Sequence, residues 1–293
     1  MTIKNDLYEL NAQLSTLERG QSLIFDDLSN ELYHAASGYS KSSLDAVNVS
    51  PAHYVWMRNA PRDNSKSPSL DFGTIFHCAV LEPERFDKEY VQAIKVNKST
   101  KAGKEAYQAF KEHCTDNMLT AVDHDDYNKI IMMRDSLKAH PNHRVFKTGK
   151  PETSIFYKDI ATGLLLKIRP DWITISSGRG QHYIVDLKTC SKPDFSRSIE
   201  DYRYYVQDSF YRYVYEKATG NTPNFLFCFV SSSISCGRYP VNIGMLSDVD
   251  REAGELQMGR DMNTILHCEQ KNQWNDFELF ERPSWARRRD GFE

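Results

Sequence analysis

The chain has 293 residues, 40% of them hydrophobic and 12% aromatic, enough apolar material to bury a sizeable core as one large domain or two small ones. Its 37 basic and 40 acidic side chains leave a formal net charge of −3, so the molecule as a whole does not attract a polyanion, and any nucleic-acid binding needs a local basic patch. The opening MTIKNDLYELNAQLSTLERGQ lacks the basic-then-apolar pattern of a signal peptide and no 18 apolar residues run together, so no membrane span and a cytoplasmic location are expected.

Residues 1–37 are polar and weakly patterned and read as short, loosely anchored helices or an arm. Ser50 and Pro51 open a helix over SPAHYVWMRN as N-cap and first helical residue. After a Pro/Ser-rich break at 61–69, helical spacing resumes through Leu70, Ile75, Phe76, Ala79 and Val80 and ends near Pro83. The basic stretch KVNKSTKAGK, with Lys98, Lys101 and Lys104, reads as an exposed loop leading into a helix from about Lys104. It is a DNA-facing candidate, although charge runs are commonly just solvated surface. Tyr127, Ile130, Ile131, Met133 and Leu137 mark a further helix over 125–139, stopped by Pro141.

From residue 152 the texture becomes that of strands. ETSIFYKD and GLLLKIRPDWITI read as two strands joined by an ATG turn, and HYIVDLKT as a third, together a β-meander. SRSIEDYRYYVQDSFYRYVYEKATG reads as one long helix from an N-cap at Ser196 to a stop at Gly220. The continuous apolar run NFLFCFVSS suggests a buried central strand and RYPVNIGML another, before a last helix to about Lys271 and a basic, aromatic tail. This order implies one mixed sheet flanked by helices: a single α/β domain with a helical part at 38–150, a sheet core at 151–247, and a C-terminal helix and tail at 248–293.

The chemistry concentrates in IRPDWITISSGRGQHYIVDLKT. Asp186 and Lys188 are two apart on a strand and share a face, whereas Leu187 points the other way. If the loop around Gly178-Arg179-Gly180 closes as a hairpin, Asp171 comes opposite this pair. Two carboxylates held close repel, and a hard divalent cation relieves the repulsion. A metal-activated water beside an ammonium group suits phosphodiester hydrolysis. A lone DxK pattern is common by chance, and its bland alternative is a pair of strand-end carboxylates with a solvated lysine. Glu152 could add a further carboxylate or simply be a surface residue.

More residues match than DxK. GxxxH at Gly73–His77, a Gly…Asp strand at Gly163–Asp171, VDLKT at Val185–Thr189 and QxxxY at Gln207–Tyr211 occur in this order, and the FGTIFHCAVLEPERFDKEYV and STKAGK stretches add to them. Over residues 38–245 the chain resembles the RecB-like branch of the PD-(D/E)xK nucleases, and most closely the RecE-type exonucleases (exodeoxyribonuclease VIII).

That resemblance implies a restriction-endonuclease-like core. It implies His77, Asp171, Asp186 and the Leu187 carbonyl as ligands to Mg²⁺ or Mn²⁺, Lys188 as catalytic lysine, and Gln207 and Tyr211 beside the site. It further implies an ATP-independent 5′-to-3′ exonuclease on double-stranded DNA ends, a ring-shaped homotetramer, a phage or prophage setting, and a RecT-like single-strand annealing protein as partner in recombination. The six scattered cysteines offer no iron–sulfur set of the kind Cas4-like and AddB-like relatives carry, and no GxxxxGK[ST] loop is present for ATP. The rival readings are an endonuclease or single-strand nuclease of the same fold, and a catalytically silent DNA-binding or recombinase-loading module.

Overall fold

The structure is a computed structural model, and it describes residues 6–61, 68–176, 178, 180–191, 195–274 and 280–292, with no side chains described for 68–71. Most of the Pro/Ser-rich break, the side chain of Leu70 and Arg179 therefore lie outside the described residues.

The N-terminal part runs α1 (Leu7–Ser15), β1 (Ser22–Phe25), α2 (Asn30–Ala35), α3 (Lys41–Val49), α4 (Pro51–Asn59), α5 (Pro68–Leu81) and α6 (Pro83–Glu89). It continues through β2 (Tyr90–Gln92), α7 (Lys101–Asp116), β3 (Thr120–Val122), α8 (His124–Ala139) and a 3-10 turn at Pro141–Phe146. The sheet core follows as β4 (Lys150–Pro151), β5 (Ser154–Lys158), β6 (Leu165–Ile168), β7 (Trp172–Ile175) and β8 (His182–Cys190). Then come α9 (Ser196–Asp201), α10 (Tyr204–Thr219), β9 (Pro223–Ser231), β10 (Val241–Gly244), α11 (Asp248–Lys271) and α12 (Ser284–Arg289).

A mixed five-stranded sheet, ordered β10-β9-β8-β7-β4, forms the centre; β8 and β9 run parallel and their outer neighbours antiparallel. Alternation divides its residues between two cores. Ile184, Phe225, Phe227 and Phe229 face α3, α10 and α11, where Leu44, Val206, Phe210 and Ile265 meet them. Val185, Leu187, Leu226, Cys228 and Val230 face α5 and α8 and pack on Phe76, Ile130 and Met133. Helices thus cover both faces, and β9 is apolar from Phe225 to Val230 because neither face meets water there. Gly254 lets α11 approach α10 closely, since a Cβ there would stand 2.2 Å from the Tyr205 carbonyl oxygen. No helix among the described residues is long and apolar enough to cross a membrane.

Local chemistry accounts for several boundaries. Ser50 caps α4 by accepting from His53 N–H at 3.0 Å, ahead of Pro51. Gly220 ends α10 in the left-handed conformation at φ 74°. Ser247 caps α11, which runs to Lys271.

Other expectations need correction. The N-terminal segment is not a loosely anchored arm: β1 pairs with β5, and Leu10, Leu14, Leu28 and Tyr33 bury against Phe156. GLLLKIRPDWITI is not one strand. It breaks at Arg169-Pro170-Asp171, so that β6 joins a three-stranded sheet β1-β5-β6 while β7 joins the central sheet, and the expected meander is split between two sheets. Pro170 has no N–H for a ladder and biases Arg169 to an extended turn, which gives the break a local cause. The long tyrosine-rich helix is also two helices, broken at Tyr202-Arg203, and Phe195 rather than Ser196 holds the N-cap position. The helix after the basic loop starts at Lys101, capped by Thr100, and not at Lys104.

Candidate metal-dependent active site

β7 and β8 form the hairpin the sequence pattern requires, with Trp172 opposite Val185 and Ser176 N–H donating to the Gln181 carbonyl at 2.9 Å. Continuing that register by one residue sets Asp171 opposite Asp186. Its side chain extends the ladder: Asp171 Oδ2 accepts the Leu187 N–H at 2.7 Å. Asp186 is almost fully buried, and its Oδ1 accepts from Gln207 Nε2 of α10 at 2.5 Å. Its Oδ2 lies 2.7 Å from Lys188 Nζ, yet it accepts no aligned hydrogen bond from any described residue. Asp186 and Lys188 therefore point together into one side of β8, while Leu187 is buried among apolar groups on the other.

His77 arrives from α5. Gly73 stands one turn earlier and faces Thr189, whose Oγ1 an added Cβ would meet at an ordinary contact distance of 3.9 Å. His77 Nδ1 is 3.7 Å from Asp171 Oδ2, and the ring hydrogen-bonds the Leu187 backbone. Burial, reinforced by the Lys188 charge, lowers its pKa to about 4, so the ring is neutral at ordinary pH and keeps a lone pair for a ligand. Burial pushes Asp171 well above the usual carboxylate range, and the Asp186 charge pushes it the same way. Burial alone would lower Lys188, but Asp186 and Asp171 outweigh it and hold the ammonium above the ordinary lysine range. A close carboxylate pair, a neutral imidazole and a backbone carbonyl make a donor set that a hard divalent cation fits.

Sequence reasoning left Glu152 open, and the structure brings it to this cluster. His77, Glu152 and Asp171 each place a ligand atom within 4.8 Å of the others. Glu152 takes a left-handed backbone at φ 51°, its N–H donates to the Asp171 carbonyl at 3.1 Å, and Arg169 Nε donates to its carboxylate at 2.6 Å. No pattern in PETSIF signals this, because the positive φ and the partner seventeen residues away are both tertiary.

Tyr211, one turn beyond Gln207, does not reach Asp186 by any hydrogen bond described; its hydroxyl oxygen takes one from the Arg169 backbone instead, behind Asp171. Lys98, Lys101 and Lys104 are exposed at the start of α7. Lys98 sits 3.6 Å from the Tyr107 ring centroid and Lys101 3.9 Å from Glu105, and none of them lines a cavity described below.

Three cavities surround the cluster. One of about 960 Å³ is lined by His77, Glu152, Arg169 and Thr189. A second, of about 760 Å³, begins at Thr189 and passes Tyr204 and Tyr202. A third, of about 550 Å³, is lined by Lys188, Gln207, Tyr211 and Lys41.

Comparison with known proteins agrees with this fold. No curated protein sequence matches. A crystal structure from Eubacterium rectale, described as a "Putative exonuclease", superposes over 90% of this chain and 98% of its own with a TM-score of 0.52 at 14% identity, which shows a shared fold. A second solved structure, SSO0001, aligns over 66% of this chain and 85% of its own at 12% identity and a TM-score of 0.28, too distant to carry weight. The model of the PDDEXK-like domain of unknown function (DUF3799) matches residues 40–277, from the last residue before α3 to beyond α11, and the chain belongs to that family.

Proposed function

We propose that the protein is a metal-dependent deoxyribonuclease that hydrolyses phosphodiester bonds from the ends of duplex DNA. The observation that carries this reading is the convergence of Asp171, Asp186, Lys188 and His77 at one end of the β7–β8 hairpin. Asp171, Asp186, His77 and the Leu187 carbonyl would hold Mg²⁺, or Mn²⁺ in its place, with Glu152 adjacent. When bound, the ion supplies Lewis-acid polarisation of a phosphoryl oxygen and a water of lowered pKa.

The chain's own groups do the rest. Lys188, kept protonated by its two carboxylate neighbours, orients the attacking water and offsets negative charge growing on the phosphate. Gln207 fixes one oxygen of Asp186, and the other, beside Lys188, is the one the cation would share. Tyr211 and the Arg169–Glu152 pair hold the turn that carries Asp171.

Within this reading, the motif order from GxxxH to QxxxY favours a RecE-type exonuclease: ATP-independent, 5′-to-3′, leaving 3′ overhangs for a RecT-like annealing protein, and working as a homotetrameric ring around DNA. A ring accounts for retention on the track despite a net charge of −3. Six free cysteines fit a reducing compartment such as the cytoplasm, and the recombination role fits a phage-borne enzyme.

The deciding experiment gives purified protein linear duplexes labelled at the 5′ or the 3′ end, and a covalently closed circle, with Mg²⁺ or with chelator. Mg²⁺-dependent release of 5′-terminal nucleotides from the linear substrate and an intact circle are expected. Cutting of the circle would make it an endonuclease, and no hydrolysis of any substrate would leave a silent DNA-binding module.

A further inference from the structure

The break between α9 and α10 turns an aromatic ring outward beside the lysine. Tyr202 is 61% exposed, and its inner face stacks on Tyr204 with centroids 5.5 Å apart at 25°. Tyr204 in turn packs on Phe227 and Phe229 at 5.6 and 6.0 Å, and Lys188 Nζ lies 5.0 Å from its ring centroid. Tyr202 is thus the outermost ring of a column rooted in the core, one ring away from the proposed catalytic ammonium.

Its position is held at a cost. Arg203 takes a left-handed backbone at φ 50°, which a non-glycine residue adopts only when its surroundings impose it. Those surroundings are two carboxylates, Asp45 at 3.0 Å and Asp261 at 2.5 Å, while Lys41 Nζ donates to the Tyr202 carbonyl at 2.5 Å. Three charged side chains thus fasten a bend whose product is an exposed ring. That ring borders the cavity of about 760 Å³, where Lys129 stands on the wall and Arg197 is paired with Asp201, and also the cavity of about 550 Å³ that Lys188 lines.

We propose that Tyr202 is a base-stacking subsite, on which the nucleobase flanking the scissile phosphate lies flat. This rests on the nuclease reading and gives it a substrate contact. A nucleobase is the occupant that suits the place: it presents a π-face to a rigid ring, does so whatever the sequence, and brings its phosphate toward Lys188. Such a contact suits a nuclease that degrades DNA without regard to sequence.

The test pairs Tyr202→Ala, Tyr202→Phe and Tyr202→Trp with linear duplexes carrying either an intact terminal nucleotide or an abasic one. Wild type is expected to cut the abasic end about tenfold more slowly, Tyr202→Ala to cut the intact end about tenfold more slowly, and the variant to lose nothing further on the abasic end. Tyr202→Phe and Tyr202→Trp should retain wild-type rates, and the Mg²⁺-induced rise in Tm should be the same in all four proteins. Wild-type rates in Tyr202→Ala on the intact end, or a second independent tenfold loss on the abasic end, overturn the proposal. Terminal 2-aminopurine fluorescence in Ca²⁺ separates this failure from that of the nuclease reading. Quenching by wild type and Tyr202→Trp but not by Tyr202→Ala supports the stack even if Mg²⁺ brings no cleavage, and absence of quenching by wild type sinks it.

Discussion

The two walls of the cleft are held in different ways. The sheet wall, β7 and β8, carries Asp171, Asp186 and Lys188 on a backbone ladder whose period of two determines which side chains meet. The helical wall, α2 and the α9–α10 bend, is fastened by single cations: buried Lys167 on the carbonyls of α2 and half-buried Arg203 between Asp45 and Asp261. A ladder tolerates the loss of one side chain, because its geometry belongs to the backbone. A wall pinned by one cation does not. Substitutions in the sheet wall should therefore remove chemistry and spare the fold, and substitutions in the helical wall should do the reverse.

The largest effect is expected on the sheet side. Asp186→Ala and Lys188→Ala should each lower Mg²⁺-dependent cleavage by about 10³-fold, read as initial rates on end-labelled duplex, with far-UV circular dichroism unchanged. Wild-type turnover in either variant removes the assignment of the active site. On the helical side, Arg203→Ala strips the charge partner from buried Asp261 and should cost about 3 kcal/mol by urea unfolding. Arg203→Gly loses the same ion pair but relieves the left-handed backbone, so it should cost about 1 kcal/mol less than the alanine variant. Equal costs for the two would mean that the bend is not strained.

The same contrast explains what was legible beforehand. Period-two alternation in VDLKT places Asp186 and Lys188 on one face without any tertiary knowledge, and the Ser50-Pro51 cap and Gly220 stop are likewise local. By contrast, the bend at Arg203 lies inside a run of good helical spacing and owes its existence to Asp45 and Asp261, at 158 and 58 residues' separation. Glu152 reaches the cluster through a positive φ and Arg169, and nothing in its neighbours announces either. The N-terminal strand leaves little signal because SLIF is four residues long, Ile24 is exposed, and Leu23 and Phe25 are only half-buried against the cluster around Phe156. Motif residues on regular strands were readable, and the parts that depend on long-range charge pairs were not.

A metal titration sharpens the sheet side further. Because the Asp171 pKa is raised in the folded state, its contribution to stability is present at low pH and is lost as pH climbs through the folded value. Ionised Asp171 therefore burdens the metal-free protein increasingly as pH rises, and a divalent cation relieves the burden. Mg²⁺ should raise the stability of wild type by about 2.7 kcal/mol at a hundredfold excess over Kd, and at one fixed Mg²⁺ concentration the rise should grow with pH. Asp171→Asn can still accept the Leu187 N–H, so it should be at least as stable as wild type without metal and show no Mg²⁺ response in thermal melts. An undiminished response in that variant would move the cation away from Asp171.

The smallest effect probes how the helical wall is held. Lys167 is buried, and its ammonium donates to the carbonyls of Tyr33 at 2.8 Å, His34 at 3.3 Å and Ala36 at 2.6 Å, closing the C-terminal end of α2. Burial, with a lesser push from Arg58, lowers its pKa from 10.5 to about 8. Between those two values the unfolded chain binds more protons than the folded one, so this lysine makes stability rise with pH across that window and contributes no slope below it. Wild type minus Lys167→Met, followed by urea midpoints from pH 7 to 9.5, should therefore be flat up to about pH 8. It should then climb in favour of wild type by an amount on the order of 1 kcal/mol. Tyrosines titrating at the upper end are common to both proteins and drop out of the difference. Parallel curves across the whole range would mean that Lys167 titrates as a solvated lysine, and α2 would then be held by packing of Tyr33 on Phe156 rather than by a buried cation.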